Sequence, residues 1–354
     1  MNINIETIKL NTQLVLKTNR PCKNLNTDTK ICKRDFFSLN EYTICNKLKK
    51  IPFYFNYYNI IVDTDFIEFG QLNETVFQSD DDNNYEQLLV FEYNINEKYI
   101  TLNDFLFGCI TPKQFILYVL ETYSFLLNSL IKLHDINICF FNLSYENIVF
   151  EKYNHSDKPL LQNFTTSLNI SHLNESYITN IITNTTNYTN KPLEIHVLFY
   201  LINNNLNTLS YSFIEEITDI FMENLSVLSL FSQSYKDEYK KACITTLKKY
   251  INKAKSDIIN DILETYSTWD NYSLSIIFLH IIGNILRVFS LKETFTTKFI
   301  IELSKNIDPE PSKREGLKDT MFKYEELFNK CIDWRYINLI PCEKLNILYK
   351  VISI

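Results

Sequence analysis

The sequence predicts an α+β protein in which a small strand-rich part precedes a larger, mainly helical part. Three observations lead to this fold class. Short apolar runs of strand length, separated by polar turns, fill the part of the chain before Thr111. From Thr111 onward, apolar residues recur at the spacing of a helix instead. Hydrophobic residues make up 45% of the 354 residues and charged residues 22%, which is typical of a folded globular chain.

Three strands and one helix are predicted in the first part. The strands are Thr12–Lys17, Asn59–Phe69 and Glu86–Tyr93. The helix lies within Phe37–Ile51, where apolar residues recur at helical spacing, namely Tyr42, Cys45, Leu48 and Ile51. The polar stretch Gln78–Glu86 is predicted to be the turn between the last two strands.

The second part opens with a predicted helix that has clear start signals. Thr111 is the expected N-cap, Pro112 takes the first helical position and Gln114 completes a capping box. Its apolar face consists of Ile116, Val119, Leu120, Tyr123, Leu127 and Leu130.

The remainder of this part is predicted to be mostly helical. Two strand-like pieces, "NIVF" and "PLLQNF", come first, and Thr165–Asn190 is then expected to be a long loop. Glu238–Tyr266 is predicted as a helix, with one side formed by Cys243, Leu247, Tyr250, Ile251, Ala254 and Ile258.

Charge and composition argue against several classes of function. A net charge of −7 disfavours a nucleic-acid binder that depends on a broadly basic surface. The N-terminus has no apolar run typical of a signal peptide, and the stretch "LSIIFLHIIGNIL" is too short for a membrane span. The 8 cysteines form no CxxC pair, which favours a reducing compartment. We therefore expect a cytoplasmic protein with neither a nucleic-acid nor a membrane partner.

The stretch "ICFFNLSYENIVF", Ile138–Phe150, has the spacing of an active-site loop. Protein kinases carry the catalytic-loop pattern H-R-D-L-x-x-x-N. Here Leu143 and Asn147 match that pattern, whereas Phe140, Phe141 and Asn142 stand at the His, Arg and Asp positions. The chain thus resembles the protein kinase family, and more narrowly the divergent kinase-like proteins of large DNA viruses.

Further motifs that resemble kinase landmarks occur in kinase order between about residues 10 and 325. The resemblance implies that Lys17 in "LVLK" is the nucleotide lysine of the third strand and that Glu41 is its helix partner. In "LLVFEY" it implies Phe91 as gatekeeper and Glu92 as the start of the hinge, and it places Asn163 at the D-F-G aspartate. It also implies that Glu194 belongs to the A-P-E element, that Asp270 belongs to the D-x-W-S-x-G helix and that Arg314 is the ion-pair partner of Glu194.

The resemblance also implies a bilobal architecture. Residues 1–93 would form the small lobe with its single helix, and residues 94–354 the large, mainly helical lobe. Asp270 follows Glu194 by 76 positions, a separation larger than in an ordinary kinase, which implies a helical insertion at about 197–266.

The substitutions remove the groups that perform phosphoryl transfer. The Asn142 amide cannot accept a proton from a substrate hydroxyl, and the neutral Asn163 carbonyl is a weak ligand for Mg²⁺. No Gly precedes Gly70, so a phosphate-binding Gly-rich loop is missing and the first strand is expected to be truncated. Phe141 replaces the arginine that grips a phosphorylated activation loop, so phospho-activation is not expected.

These features together favour a catalytically inactive pseudokinase that acts through a protein partner, either a host or viral kinase or its substrate, in the host cytoplasm if the chain is viral. No cofactor is certain, although ATP with Mg²⁺ remains an option. The alternatives are an active, divergent Ser/Thr kinase, an ATP-binding switch without transfer, and a helical protein unrelated to kinases. A thermal melt with ATP, in Mg²⁺ and in EDTA, separates an ATP-binding switch from a pure protein-binding role.

Several of these residues can also be interpreted as having ordinary structural roles. Lys17 can be a solvent-facing strand lysine, Glu41 a surface residue and Asn147 a loop cap. Lys33 is a rival to Lys17, but it lies only eight residues before Glu41.

Overall fold

The computed structural model describes residues 5–10, 13–18, 27–68, 87–94, 99–151, 158–183, 185, 188–289, 291–292, 294–331 and 334–352. The strands are β1 Ile5–Leu10, β2 Gln13–Thr18, β3 Thr27–Lys33, β4 Tyr58–Asn59, β5 Asp63–Glu68, β6 Gln87–Asn94, β7 Tyr99–Thr101, β8 Ile138–Cys139, β9 Ile148–Glu151, β10 Pro159–Gln162 and β11 Leu168–Asn169. The helices are α1 Phe36–Leu48, α2 Leu102–Phe107, α3 Pro112–Asp135, α4 Glu175–Thr183, α5 Leu193–Asn203, α6 Tyr211–Asn224, α7 Gln233–Leu247, α8 Lys255–Leu263, α9 Trp269–Phe289, α10 Phe295–Lys305, α11 Leu317–Lys330 and α12 Glu343–Ile352.

The chain is α+β, with its longer strands in the N-terminal part and a mainly helical C-terminal part. It divides into two compact units. The strand-rich unit comprises residues 1–100 and 149–167, and the helical unit comprises residues 101–148 and 168–354. The strand-rich unit therefore includes a second segment of the chain, which contains β10 and most of β9.

A five-stranded sheet in the order β1-β2-β3-β6-β5 forms the body of the strand-rich unit. All four of its pairings are antiparallel. Strand β6 is apolar and buried because it lies in the interior of the sheet, and its fully or almost fully buried side chains are Leu88, Leu89, Val90 and Phe91. A second sheet places β10 beside β4 in parallel register, with Leu161 opposite Tyr58.

Helix α1 follows β3 after only two residues. Asp35 is its N-cap and forms a capping box with Ser38, which stabilises the first turn. The buried face of α1 includes Ile44, Cys45 and Leu48, as the helical spacing indicates.

Two expectations about the first strands are wrong. Strand β1 precedes Thr12–Lys17, so the first strand is not truncated, and Lys17 lies in the second strand rather than the third. The third strand, Thr27–Lys33, has no counterpart in the prediction because "TDTKICK" offers only two adjacent apolar residues and shows no clear alternation. The expected turn Gln78–Glu86 and the side chain of Lys17 lie outside the described residues.

Helices α3 and α9 supply much of the core of the helical unit. The expected face of α3 is buried throughout, from Ile116 to Leu130. The Tyr123 ring on this face meets the rings of Phe278 and Phe299 edge-on, at centroid distances of 5.0 and 4.7 Å. Thr111 is the N-cap as predicted, but the Gln114 side chain accepts from the Ile110 N–H instead of completing a capping box.

Both long helices are apolar enough to cross a membrane by length and composition alone. Within the described part of the chain, however, 56% of the α3 window and 78% of the α9 window are buried inside the protein. Such burial is typical of the core helices of a soluble protein.

Two elements of the helical unit differ from the prediction. The expected loop Thr165–Asn190 contains helix α4, which buries Ile178, Ile181 and Ile182. The expected helix Glu238–Tyr266 is interrupted between α7 and α8, where Asn252 adopts φ 60°. Asn tolerates this left-handed conformation better than most residues, so the chain turns there, and Ala254 is exposed.

Candidate functional site

The loop that resembles a kinase catalytic loop is held by one buried carboxylate. Asp270, in the first turn of α9, accepts from the Phe140 N–H at 2.7 Å and from the Phe141 N–H at 2.8 Å. The His134 Nε2 atom lies 3.0 Å from the same carboxylate. Burial alone would raise the pKa of Asp270, but the hydrogen bonds from His134 and the two amides hold this pKa below its ordinary value.

The same loop is closed by a second side chain. The Asn147 amide donates to the Asn142 carbonyl oxygen at 2.8 Å, and Asn147 is buried. The Asn142 N–H in turn donates to the Phe140 carbonyl oxygen at 2.7 Å. Asn147 therefore fixes the backbone at Asn142, the residue that the resemblance aligns with the catalytic aspartate of kinases.

Phe141 is the residue that the resemblance aligns with the arginine of the kinase catalytic loop. Its backbone is left-handed, with φ 61°, an uncommon conformation for a bulky residue. The Lys191 Nζ lies 4.1 Å from the centre of the Phe141 ring, and the Trp269 ring lies 5.7 Å away. Both Phe141 and Lys191 are buried, so the segment before α5 supplies a cation to the loop.

Burial lowers the pKa of Lys191 to about 8, although nearby Asp270 and Cys139 oppose this shift. A lysine with a lowered folded-state pKa weakens the fold while it is charged. Because the unfolded chain then binds more protons between about pH 8 and the ordinary lysine pKa, stability should rise with pH over this range.

We therefore expect Lys191→Met to be at least as stable as the parent at pH 7. As pH rises above about 8, the parent should gain stability relative to this variant, by on the order of 3 kcal/mol at most. Urea melts of both proteins from pH 7 to about pH 10 measure the difference. If the free energies of unfolding of the two proteins changed with pH in parallel, burial would not destabilise the charged form of Lys191.

A buried ion pair joins the start of α5 to the segment before α11. Arg314 donates from Nη1 and Nη2 to the two Glu194 carboxylate oxygens, at 2.7 and 2.9 Å. The Arg314 guanidinium also lies 5.0 Å from the Tyr272 ring centre. This is the pair that the A-P-E resemblance predicts, and the structure contains it.

In the strand-rich unit, α1 is tied to the segment that follows Asn163. Glu41 is buried and accepts from the Thr165 hydroxyl at 3.1 Å. Asn40 donates to the carbonyl oxygens of Thr165 and Ser167, at 3.0 and 2.8 Å. Asn163 itself has φ 64°, a left-handed conformation that Asn tolerates.

The third strand carries a different lysine from the one that was predicted there. Lys30, in the third strand, is the cross-strand neighbour of Lys17, and its Nζ lies 5.9 Å from the Tyr93 ring centre. Among the described residues, the Glu41 carboxylate accepts from the Thr165 hydroxyl. The third strand therefore carries Lys30, and Lys17 lies on the second.

The predicted hinge residues both lie in β6. Phe91 is fully buried opposite Lys30 and Thr64, whereas Glu92 lies within the strand, which runs on to Asn94. The Glu92 carbonyl oxygen accepts from the Val62 N–H at 2.7 Å.

The predicted site residues fall into both units. Lys17, Glu41, Phe91, Glu92 and Asn163 belong to the strand-rich unit, and Asn142, Asn147, Glu194, Asp270 and Arg314 to the helical unit. Within the helical unit, direct hydrogen bonds join Asn142 to Asn147 and Glu194 to Arg314. The prediction missed Lys191, whose burial beneath an aromatic ring has no signature in a sequence.

One group of possible metal ligands occurs among the described residues. The ligand atoms of His134, Cys139 and Asp270 lie within 4.8 Å of one another. However, both Asp270 oxygens already accept hydrogen bonds, and burial raises the pKa of the Cys139 thiol well above its usual range. These residues therefore have a structural role that organises the loop.

Models of known protein families give no match to this chain, and neither do curated proteins. The functional assignment therefore depends on the residues and their geometry.

Proposed function

We propose that the chain is a catalytically inactive protein with a kinase-like, bilobal fold that acts by binding another protein. The observation that carries this proposal is a loop with kinase-like internal bonds and no catalytic acid. Asp270 and Asn147 hold the loop backbone through hydrogen bonds of 2.7 to 2.8 Å, while an amide, Asn142, occupies the aspartate position.

The order of elements supports the fold part of the proposal. A kinase carries its nucleotide lysine on the third strand and the partner glutamate on the helix αC. Here β3 carries Lys30, and α1, which follows after two residues, carries the buried Glu41. The Glu194–Arg314 pair, 120 residues apart in sequence, supports the alignment of the later motifs.

The chemistry of the two amides supports the loss of activity. The Asn142 side chain cannot take a proton from a substrate hydroxyl, and general-base catalysis contributes about 10²–10⁴-fold. Asn163 offers Mg²⁺ only a neutral oxygen, whereas Mg²⁺ in kinases is held by a carboxylate and an amide. Both substitutions preserve side-chain shape and remove charge.

The first hairpin also lacks a phosphate-binding loop. Leu10 pairs with Gln13, so only Asn11 and Thr12 connect β1 to β2. Neither is a glycine, and a Gly-rich loop needs glycines so that its backbone can approach phosphates closely.

The partner in this proposal is a protein, since neither nucleic acid nor membrane fits the acidic composition and the buried long helices. We propose a cytoplasmic location because the cysteines form no CxxC pair, and such cysteines are expected to remain reduced in the cytoplasm. All of the described cysteines are free thiols.

A second candidate, an ATP-binding switch without phosphoryl transfer, is favoured by one observation. Lys30 lies on the third strand and the buried Glu41 on the helix that follows, and a kinase binds nucleotide phosphates with a third-strand lysine that pairs with a glutamate of that helix. Stabilisation of the protein by ATP in a thermal melt, with no phosphoryl transfer, would favour this candidate.

We expect the chain not to transfer a phosphoryl group from ATP. In an assay with γ-labelled ATP and Mg²⁺, we expect the purified chain to label neither itself nor a generic protein substrate above a blank without protein. Mg²⁺-dependent labelling would instead favour the active, divergent Ser/Thr kinase.

A further inference from the structure

A cavity of about 330 Å³ opens in the helical unit, where the end of α8 meets the start of α9. This volume is large enough for a small organic ligand. Its lining includes three carboxylates, those of Asp261, Glu264 and Glu310, and one ammonium group, that of Lys249. We name this space the α8–α9 cavity. Its lining is therefore acidic, and the next question is which of its charges already have partners.

The cations at the α8–α9 cavity are engaged by other groups. The Lys249 Nζ lies 3.0 Å from Asp261 Oδ2, which also accepts from the Tyr250 hydroxyl at 2.7 Å. The Lys253 Nζ lies 5.9 Å from the Tyr250 ring centre and does not line the cavity. Arg314, behind Thr268, forms its ion pair with Glu194. The lysine of the lining thus neutralises Asp261 and leaves the other two carboxylates uncompensated.

Glu264 and Glu310 are these two carboxylates. Glu264 follows the last residue of α8 as its C-cap and is exposed, whereas Glu310 is half-buried and accepts from the Ser312 hydroxyl at 3.4 Å. Among the described residues, no Lys, Arg or His lies within ion-pair distance of either carboxylate. A cationic ligand would therefore gain two charge-assisted contacts without displacing an existing ion pair.

The arrangement of the carboxylates favours an extended organic cation over a metal ion. Mg²⁺ and Ca²⁺ need six or more oxygen ligands that converge on one point. Among the described residues, the one group of three possible ligands whose atoms converge is His134, Cys139 and Asp270, so the carboxylates of the α8–α9 cavity do not meet in this way. Separate carboxylates suit positive charges that are separated by an aliphatic chain.

The rest of the lining suits a ligand with several N–H donors. An ammonium group carries three donors and needs oxygen acceptors around it. Besides the carboxylates, four hydroxyl groups line the cavity, those of Thr265, Ser267, Thr268 and Ser312. Pro311 adds apolar surface that methylene groups can contact.

We propose that the α8–α9 cavity binds an aliphatic polyamine, a molecule whose ammonium groups are joined by short methylene chains. One ammonium group faces Glu264 and another faces Glu310, while the hydroxyl groups accept the remaining N–H donors. This inference goes beyond the proposed protein-binding role and does not depend on it.

The test is isothermal titration calorimetry of the full chain with spermidine, at fixed ionic strength. We expect saturable binding of spermidine, and none of 1,4-butanediol, which has the chain but no charge. Glu264→Gln/Glu310→Gln keeps the shape of both side chains and should bind spermidine at least about tenfold more weakly.

A matched control separates the cavity from the general acidity of the chain. Glu238→Gln/Glu325→Gln removes the same two charges from exposed positions on α7 and α11, outside the cavity, and should bind spermidine like the parent. Urea melts of both double variants should match the parent, because none of these four side chains is buried.

Four results would overturn the proposal. They are no saturable binding of spermidine by the parent, equal binding by Glu264→Gln/Glu310→Gln, an equal loss in the control variant, and tighter binding of Mg²⁺ or of a trilysine peptide than of spermidine. None of them bears on the phosphotransfer assay or on protein binding, so this proposal and the proposed function fail separately.

Discussion

Arg314→Met should destabilise the helical unit by about 3–5 kcal/mol, because it leaves the Glu194 carboxylate buried without its partner. Both charged groups are almost completely buried, so the lost ion pair cannot be replaced by water. Urea denaturation followed by far-UV circular dichroism measures the change in the free energy of unfolding.

Two control variants separate the buried pair from a general loss of charge. Arg314→Met/Glu194→Leu removes both charges, and it should recover much of the lost stability because no uncompensated charge remains. Lys305→Met breaks the exposed pair with Glu302 and should change stability by less than about 1 kcal/mol. If the double variant were as unstable as Arg314→Met, the buried charge would not be the cause.

Asp270→Asn should cost about 3 kcal/mol at neutral pH. One side-chain oxygen would remain to accept from the Phe140 and Phe141 amides, and the new NH₂ group would face a buried donor. The same urea melts measure the loss, and hydrogen exchange at Phe140 and Phe141 should become faster.

The effect of Asp270→Asn should depend on pH. The pKa of Asp270 is lowered in the folded chain, so its contribution is present above the ordinary carboxyl pKa and is lost as pH falls through the lowered value. The difference between parent and variant should therefore shrink in acid. Asp135→Asn is the control, because Asp135 is half-exposed beside Lys318 and should change little. Unchanged amide exchange in Asp270→Asn would show that this carboxylate does not hold the loop.

Elements with strong periodicity could be predicted from the sequence. Helix α3 combines a Thr N-cap, a first-turn Pro and an apolar face, and strand β6 contains the apolar run Leu88–Phe91. Strand β3 could not, because its pairing with β6 decides its structure and its own side chains are mostly polar. The break between α7 and α8 also depends on tertiary packing, since Asn252 tolerates either a helix or a turn.

The candidate site was predictable to the extent that its residues follow a motif. The Glu194–Arg314 pair was expected from motif order alone, and the Arg314 guanidinium lies within hydrogen-bonding distance of the Glu194 carboxylate. Lys17 was predicted to lie on the third strand but lies on the second, because the sequence patterns of β1 and β3 were not recognised. The contact between Lys191 and Phe141 follows from three-dimensional packing, which no local pattern records.

The absence of phosphoryl transfer is the central claim, and its most direct measurement compares three proteins with γ-labelled ATP and Mg²⁺. These are the parent, Asn142→Asp/Asn163→Asp and Asn147→Ala. We predict no labelling by the parent or by Asn147→Ala, and any labelling should appear only when both carboxylates are restored. Labelling by the parent that requires Mg²⁺ and disappears in Asn147→Ala would contradict the account and identify the chain as an active kinase.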